Sequence, residues 1–161
     1  MATETERKFL VLPGDWEAAP ALRMAQGYLS RSKDATVRVR VAGERAWMTV
    51  KGAGDGLSRP EFEYEIPPED AVAMLGMVSG VVLKTRRRIP MGDHVWEVDV
   101  FEGENDGLIV AEIELGDPDE AFPRPAWLGA EVTGMPRYFN SELSVRPYAL
   151  WSDAERRGEV V

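Results

Sequence analysis

Charged and apolar residues alternate along most of this chain, so that side chains two positions apart share their character. Residues 37–41 are typical, because valine and arginine take turns over the whole segment. Successive side chains of a β-strand point to opposite faces, and this period of two predicts strands with one polar and one apolar face. Most gaps are too short for a crossover helix, which favours antiparallel pairing. Eight strands are predicted, over residues 3–12, 26–32, 36–42, 45–52, 61–66, 82–90, 94–102 and 109–116.

Helical signals are fewer than strand signals. Residues 68–70 place a proline and two acids ahead of an apolar stretch, as first helical turns prefer, and this predicts a helix over residues 68–77. Together with the strands, this pattern indicates an α+β fold. Further short helices are predicted over residues 15–23, 118–121 and 138–145.

The length of 161 residues suits one compact domain, which is predicted over residues 1–151. Residues 152–161 are polar and charged, and they are predicted to form a flexible C-terminal tail. The longest apolar stretches, such as residues 78–83, are far shorter than the ~20 residues of a membrane-spanning helix. We therefore expect a cytoplasmic protein with no membrane partner. The chain has no cysteine, which excludes disulfides and thiolate chemistry.

The formal net charge of −9 argues against a nucleic-acid binder, because such proteins need a basic face. Basic residues nevertheless concentrate within residues 37–41 and 84–88. Local positive charge in an acidic protein predicts an anion site beside carboxylate or metal chemistry. The alternative is a pair of solvated charged strands.

Pairs of like charges share one face of several predicted strands. Glu4 and Glu6 share a face, and so do Arg38 and Arg40. Like charges side by side cost energy unless they share a counter-ion, and an ordinary solvated face would mix the signs. Mg²⁺ bound to a triphosphate would satisfy both kinds of pair. The other pairs of this kind are Glu61 with Glu63, Lys84 with Arg86, Glu97 with Asp99, and Glu112 with Glu114.

A sheet that closes with these charged faces inward would form a tunnel. The apolar faces would then point outward, and the predicted helices would have to cover them. The fold expected from the pattern is an eight-stranded antiparallel β-tunnel, or barrel, with a charged interior and a few flanking helices.

The same residues carry a resemblance to a known family. Residues 4–8 match the ExExK signature of the CYTH superfamily, the triphosphate tunnel metalloenzymes. The later motifs follow in the family's order, and residues 138–144 resemble its closing helical segment. These motifs are Arg38-Val39-Arg40, Lys51, Glu61-Phe62-Glu63-Tyr64-Glu65, Lys84-Thr85-Arg86, Trp96-Glu97-Val98-Asp99 and Ala111-Glu112-Ile113-Glu114.

The resemblance implies an eight-stranded tunnel and a role for each matched charge. It implies Mg²⁺ or Mn²⁺ as the cofactor and a small-molecule triphosphate as the partner. The phosphate-binding residues would be Lys8, Arg38, Arg40, Lys51, Lys84 and Arg86. The metal ligands would be Glu4, Glu6, Asp99, Glu112 and Glu114. Catalysis would involve Glu4, Glu6, Lys8, Asp99 and Glu114, and Glu63 and Tyr28 are additional candidates near the site.

Several activities share this scaffold, so the fold does not select the substrate. Hydrolysis of inorganic triphosphate to pyrophosphate and phosphate is favoured, because the short chain carries the complete charged set. Thiamine triphosphate hydrolysis and class IV adenylate cyclase activity are the enzymatic alternatives. A polyphosphate or nucleotide sensor without catalysis is the third, although carboxylates in the site would repel its ligand. The sequence leaves the oligomeric state open.

Overall fold

The computed structural model describes residues 3–55 and 57–161, whose strands form a closed antiparallel barrel. The expected α+β fold with an eight-stranded barrel is confirmed, and a ninth strand accompanies it. The sheet order is β5-β4-β3-β2-β6-β7-β8-β1-β9, with β5 also paired to β1. The strands are β1 Thr3–Val11, β2 Ala21–Arg31, β3 Ala35–Ala42, β4 Arg45–Gly52, β5 Ser58–Ile66, β6 Val82–Met91, β7 His94–Phe101, β8 Ile109–Glu114 and β9 Leu128–Glu131.

Strand β1 closes the barrel because it pairs along both of its edges. One edge runs antiparallel to β8, from Glu6 opposite Glu114 onward. The other edge pairs first with β5, where Glu4 lies opposite Arg59, and then with β9. Strand β9 therefore covers the part of the β1 edge that β5 does not reach. The sequence analysis missed this four-residue strand.

Helices are few and short. Helix α1 spans Pro68–Leu75, and its prediction is confirmed with a C-terminus two residues earlier. The segment predicted as one helix over residues 138–145 consists of a 3₁₀ turn and helix α2, Asn140–Leu143. No helix in the described parts of the chain is long and apolar enough to cross a membrane. The remaining elements are helix α3, Asp153–Arg156, and 3₁₀ turns at Asp15–Ala18, Gly103–Asn105, Pro136–Tyr138 and Tyr148–Leu150.

Two helix predictions were wrong. Of residues 15–23, only Asp15–Ala18 are helical, as a 3₁₀ turn. Pro20 cannot donate to a helical ladder, and the residues after it enter β2 and pair with β6. Residues 118–121 form turns and extended chain, and the neighbouring Pro123 lacks the amide hydrogen that a longer helix would need.

Apolar side chains on the outer face of the barrel form two clusters. Phe9 packs edge-on against Trp96, which in turn contacts Trp127 from the segment before β9. Helix α1 places the buried Ala71 over the apolar face of β3 and β4. The expectation that helices cover the outward faces therefore holds for α1, whereas an irregular segment covers the other cluster.

A third cluster fills one end of the barrel interior. Val82, Phe101 and Val110 lie two residues from Lys84, Asp99 and Glu112 respectively, and so point to the same inner face. They pack against Tyr138, Leu143 and Trp151 from the C-terminal part of the chain. This apolar packing closes part of that end and leaves the charged residues around the remaining space.

The C-terminal residues 152–161 include helix α3. Ser152 and Glu155 form a reciprocal capping box at its start. Arg146 pairs with Glu155 at 2.7 Å, and the Tyr138 hydroxyl donates to the Glu155 carbonyl at 3.2 Å. These contacts connect the segment to the barrel end. Its flexibility and the domain boundary at residue 151 stay predictions.

Gly80 provides a test of how tightly the chain at the end of α2 packs against the residues before β6. Its φ is +70°, and a Cβ at this position would lie 1.9 Å from the Ser144 carbonyl oxygen. We expect Gly80→Ala to lower the free energy of unfolding by about 3 kcal/mol, because backbone strain and overpacking add. Gly92 has a similar φ of +63° but open space around it, so Gly92→Ala should cost only about 1 kcal/mol. Urea unfolding of both variants measures the difference, and equal costs would contradict the tight packing.

Candidate active site

A polar cavity occupies the barrel interior where the charged strand faces meet. Most of the residues predicted to bind phosphate border it directly. Arg40 lies next to them on β3, two residues from Arg38 and opposite Trp47 of β4. Helix α2 and the residue before it complete the wall. The lining residues are Glu6, Lys8, Tyr28, Thr36, Arg38, Thr49, Lys51, Arg59, Lys84, Arg86, Glu112, Phe139, Asn140 and Ser141.

Lys84 and Arg86 share one buried carboxylate, that of Asp99. Lys84 Nζ lies 2.8 Å from Asp99 Oδ2, and the Arg86 guanidinium donates to both oxygens at 2.7 and 2.9 Å. Burial would raise the pKa of Asp99, but Arg86 and Lys84 hold it well below its ordinary value. Both Asp99 oxygens are therefore occupied by protein cations. Its expected role as a metal ligand stays a prediction.

Burial removes the Lys84 ammonium from water, which would otherwise stabilise its positive charge. Its side chain is only 1% exposed. Desolvation lowers its pKa to about 8, although Asp99 opposes the change. The ammonium is thus charged at neutral pH but incompletely compensated, and an anion in the cavity would stabilise it.

Lys8 lies opposite Glu112 across the β1–β8 pair. Its ammonium is 3.4 Å from Glu112 Oε1 and donates to the Tyr138 carbonyl at 3.4 Å. Burial would lower the pKa of Lys8, but Glu112 and Glu6 outweigh that effect and leave the pKa raised. Glu112 is therefore paired with the Lys8 ammonium, and its expected role as a metal ligand stays a prediction.

In the described parts of the chain, the carboxylate within 4 Å of both Arg38 and Arg40 is that of Glu63. The closest nitrogens lie 3.6 and 3.9 Å from Glu63 Oε2, which also accepts a 2.8 Å hydrogen bond from Thr49. Neither arginine Nε has a hydrogen-bond partner among the described residues, although both atoms are buried. Burial and the neighbouring Arg38 and Arg86 lower the pKa of Arg40 to about 10. The carboxylate of Glu63 therefore compensates the positive charge of this arginine pair only in part.

Lys51 and Arg59 hold Glu4 at the other side of the cavity. Lys51 Nζ lies 2.9 Å from Glu4 Oε2, and Arg59 Nε lies 3.6 Å from the same oxygen. The sequence analysis did not assign Arg59 to the site, because it lies outside the strand predicted over residues 61–66, yet it borders the cavity. The observed β5 begins at Ser58, which gives Arg59 the same inward parity as Glu61 and Glu63.

Glu4, Glu6 and Glu114, which we call the acidic group, gather on one inner face. Glu6 lies directly opposite Glu114, and Glu4 is two residues from Glu6 along β1. Burial and then the charge of Glu4 raise the pKa of Glu6. Burial, followed by Glu4 and Glu6, raises the pKa of the more exposed Glu114. Negative charge is therefore in excess here, whereas positive charge is in excess around Arg40 and Lys84.

The donor chemistry of the acidic group fits a hard divalent cation, which would relieve the repulsion. Within residues 3–55 and 57–161, no three acidic or histidine side chains converge on one point. Mg²⁺ is usually held by one or two carboxylates, with substrate phosphates and water supplying the other ligands. The pair Glu6 and Glu114 meets that lower requirement.

Uncharged side chains in and beside the cavity include Asn140 and Gln26, which the sequence analysis missed. Asn140 and Gln26 form a 2.9 Å hydrogen bond, and Gln26 also donates to the Tyr28 hydroxyl at 3.2 Å. Tyr28 therefore borders the cavity, as expected for a residue near the site. Gln26 has the inward parity of its strand, but nothing in the sequence places Asn140 beside it.

Comparisons with known proteins agree with this geometry. The CYTH domain model matches residues 2–146. The chain is 44% identical to an inorganic triphosphatase of Acetivibrio thermocellus over 92% of its length and 97% of that protein. It is 38% identical to an inorganic triphosphatase of Nitrosomonas europaea, covering 89% of this chain and 97% of that one. The crystal structure of the inorganic triphosphatase NE1496 is similar with a TM-score of 0.64 and 33% identity, covering 94% of this chain and 97% of that one.

Proposed function

The chain belongs to the CYTH domain family, and we propose that it is a metal-dependent enzyme that hydrolyses inorganic triphosphate to pyrophosphate and phosphate. The two relatives named inorganic triphosphatase support this substrate, since each aligns over almost its whole length. The proposal assigns phosphate binding to Lys8, Arg38, Arg40, Lys51, Lys84 and Arg86, with metal binding at the acidic group.

One observation carries the proposal. Around the same cavity, positive charge is incompletely compensated at Arg40 and Lys84, and negative charge is in excess where Glu6 lies opposite Glu114. A simple anion binder would gain from losing the carboxylates, and a simple cation site would gain from losing the bases. A polyphosphate together with a divalent cation relieves both excesses.

The basic residues would bind the phosphate chain and hold it still. Arginine forks and lysine ammonium groups donate to phosphate oxygens and stabilise the negative charge that develops during phosphoryl transfer. Glu63 orients Thr49, and Asp99 orients Lys84 and Arg86, so the donors are directed before substrate arrives. This arrangement favours in-line attack by a water molecule held at one end of the chain.

Glu6 and Glu114, which lie opposite each other with Glu4 beside them, would hold Mg²⁺ or Mn²⁺ together with substrate oxygens and water. The bound ion would neutralise phosphoryl oxygens and lower the pKa of water. In the overall step, the water oxygen forms a bond to the terminal phosphorus while the bridging P–O bond breaks. Pyrophosphate leaves, and carboxylates of the acidic group can accept the proton that the water loses.

Phosphate release from purified protein tests the proposal. Tripolyphosphate would be compared with pyrophosphate, thiamine triphosphate and ATP, each with Mg²⁺, with Mn²⁺ and with a chelator, and cyclic AMP would be assayed with ATP. We expect release from tripolyphosphate that requires the metal. Preference for an organic triphosphate would overturn the substrate, and tight binding without turnover of any compound would indicate a polyphosphate sensor.

Arg40→Ala should mainly weaken substrate binding. Among the described residues its buried Nε has no hydrogen-bond partner, and it contacts Glu63 at 3.9 Å and stacks on Trp47, so the fold would lose few contacts. We expect KM for triphosphate to rise roughly tenfold or more, with kcat changed by only a few-fold. Arg45→Ala is the matched control, because Arg45 also stacks on Trp47 but is exposed and pairs with Glu65. A large loss of kcat at unchanged KM would contradict a binding role.

A further inference from the structure

The neutral amide of Asn140 lines the cavity beside its charged side chains and contacts a second amide, that of the buried Gln26. Asn140 is the first residue of α2, and its Oδ1 lies 3.1 Å from Lys84 Nζ. The same oxygen lies 2.9 Å from Gln26 Nε2. Gln26 and Lys84 are 0% and 1% exposed, whereas Asn140 is half-buried and borders the cavity.

The orientation of both amides follows from the ammonium. Lysine can only donate, so the Asn140 atom that faces Lys84 must be its oxygen. Gln26 must then turn its nitrogen toward that oxygen, and its own Oε1 stays buried without a partner among the described residues. Its Nε2 also donates to the Tyr28 hydroxyl at 3.2 Å. The donor and acceptor roles in this network are therefore fixed, because the Lys84 ammonium can only donate.

Two of the three ammonium hydrogens of Lys84 are directed by this arrangement. One points to Asp99 Oδ2 at 2.8 Å and the second to Asn140 Oδ1. Within residues 3–55 and 57–161 the third has no protein acceptor and can bind a ligand, since Lys84 borders the cavity. Two acceptors at fixed positions define where that third hydrogen points.

We propose that Asn140 is a positioning residue for substrate, acting through Lys84 to direct its free N–H toward a phosphate oxygen. This inference rests on the proposed triphosphate substrate. Through Asn140, helix α2 contributes to a site whose charged lining residues, as far as the structure describes them, all lie on strands.

The neutrality of the amide is part of the argument. A carboxylate at this place would give Lys84 a second negative partner beside Asp99 and would repel the phosphate chain. An apolar side chain would leave one hydrogen of the Lys84 ammonium and one hydrogen of the Gln26 amide without their acceptor. An uncharged acceptor directs the ammonium and leaves its positive charge available to the substrate.

Asn140→Leu keeps a similar volume and removes the acceptor. We expect KM for tripolyphosphate to rise about tenfold, with a smaller change in kcat, because a hydrogen bond to a charged group is lost. In the Lys84→Met background the same change should cost less than threefold in kcat/KM, since its effect passes through Lys84. Thermal unfolding of each variant, with Val145→Ala as an exposed control beside α2, reports any general loss of stability.

Binding of tripolyphosphate to each protein in the presence of a chelator, measured by calorimetry, separates this inference from the proposed function. Wild-type protein that binds in the chelator but releases no phosphate when Mg²⁺ or Mn²⁺ is supplied would overturn the function and leave the binding comparison valid. Weaker binding by Asn140→Leu, absent in the Lys84→Met background, would support the positioning role. Equal losses in both backgrounds, or unchanged binding by Asn140→Leu, would overturn it.

Discussion

Glu6→Gln should abolish metal-dependent hydrolysis of triphosphate, lowering kcat/KM about a hundredfold or more, without weakening the fold. Its carboxylate has no cationic partner within salt-bridge distance among the described residues, and Glu4 and Glu114 lie beside it. Removing one negative charge from this group relieves repulsion, so the free energy of unfolding should stay within about 0.5 kcal/mol of wild type or rise. Phosphate release and urea unfolding measure the two effects.

The raised pKa of Glu6 also predicts in which direction the stability of the protein changes with pH. The folded-state pKa of Glu6 is raised above its ordinary value of 4.5, so its favourable contribution is present below pH 4.5 and is lost as the pH rises through the folded-state value. Wild-type protein without metal should therefore lose more stability between pH 4 and 7 than Glu6→Gln does. Mg²⁺ or Mn²⁺ should raise the Tm of wild type and have little effect on the variant.

Glu65→Gln is the matched control for this substitution. Glu65 has the same inward parity on β5, but it is exposed and pairs with Arg45 at 2.7 Å. We expect its activity and its metal-dependent Tm to equal those of wild type. If Glu6→Gln kept full activity, or lost activity and stability together, the acidic group would not be the metal site.

Asp99→Asn should strongly lower the free energy of unfolding, in contrast to Glu6→Gln, which should leave it almost unchanged. The substitution leaves the ammonium of Lys84 and the guanidinium of Arg86 buried without their shared carboxylate. Breaking a buried ion pair by removing one partner typically costs 3–5 kcal/mol, so we expect about 3 kcal/mol and a Tm decrease of roughly 10 °C. Urea and thermal unfolding measure this loss, and tripolyphosphate should restore part of it by supplying negative charge.

The comparison of the two variants also tests the expected metal role of Asp99. If its carboxylate serves mainly to hold Lys84 and Arg86, the variant should keep the metal-dependent rise in Tm that Glu6→Gln loses. Loss of that rise, with a decrease in stability below 1 kcal/mol, would instead assign Asp99 to the metal ligands.

Local alternation was sufficient to predict the strands and the face on which each charge lies, because the period of two is a property of the extended backbone. It predicted that Lys8, Arg38 and Lys84 would meet in one interior, and they border one cavity. It failed where structure depends on contacts outside the segment. Residues 118–121 have helix-compatible composition but lie in an irregular segment that covers an apolar barrel face, and β9 forms only because β1 has a free edge.

Charge partners could not be predicted in this way, because they depend on the register between strands distant in sequence. Asp99 and Glu114 were grouped by charge alone. The register places Asp99 opposite Arg86 and Glu114 opposite Glu6, so one carboxylate is neutralised and the other is repelled. The same limit applies to Asn140, whose contact with Lys84 joins residues 56 positions apart.

The sequence by itself determined the strand pattern, the inward face of each strand and the charged set that the tunnel contains. These properties depend on neighbours two residues away and on the requirement to bury the apolar faces. Only the tertiary structure decided which charges compensate one another, which remain in excess, and which uncharged side chains complete the site. Closure of the barrel through β1 fixes the registers, and helix α2 then brings Asn140 to Lys84, because pairing at hydrogen-bond distance requires the assembled fold.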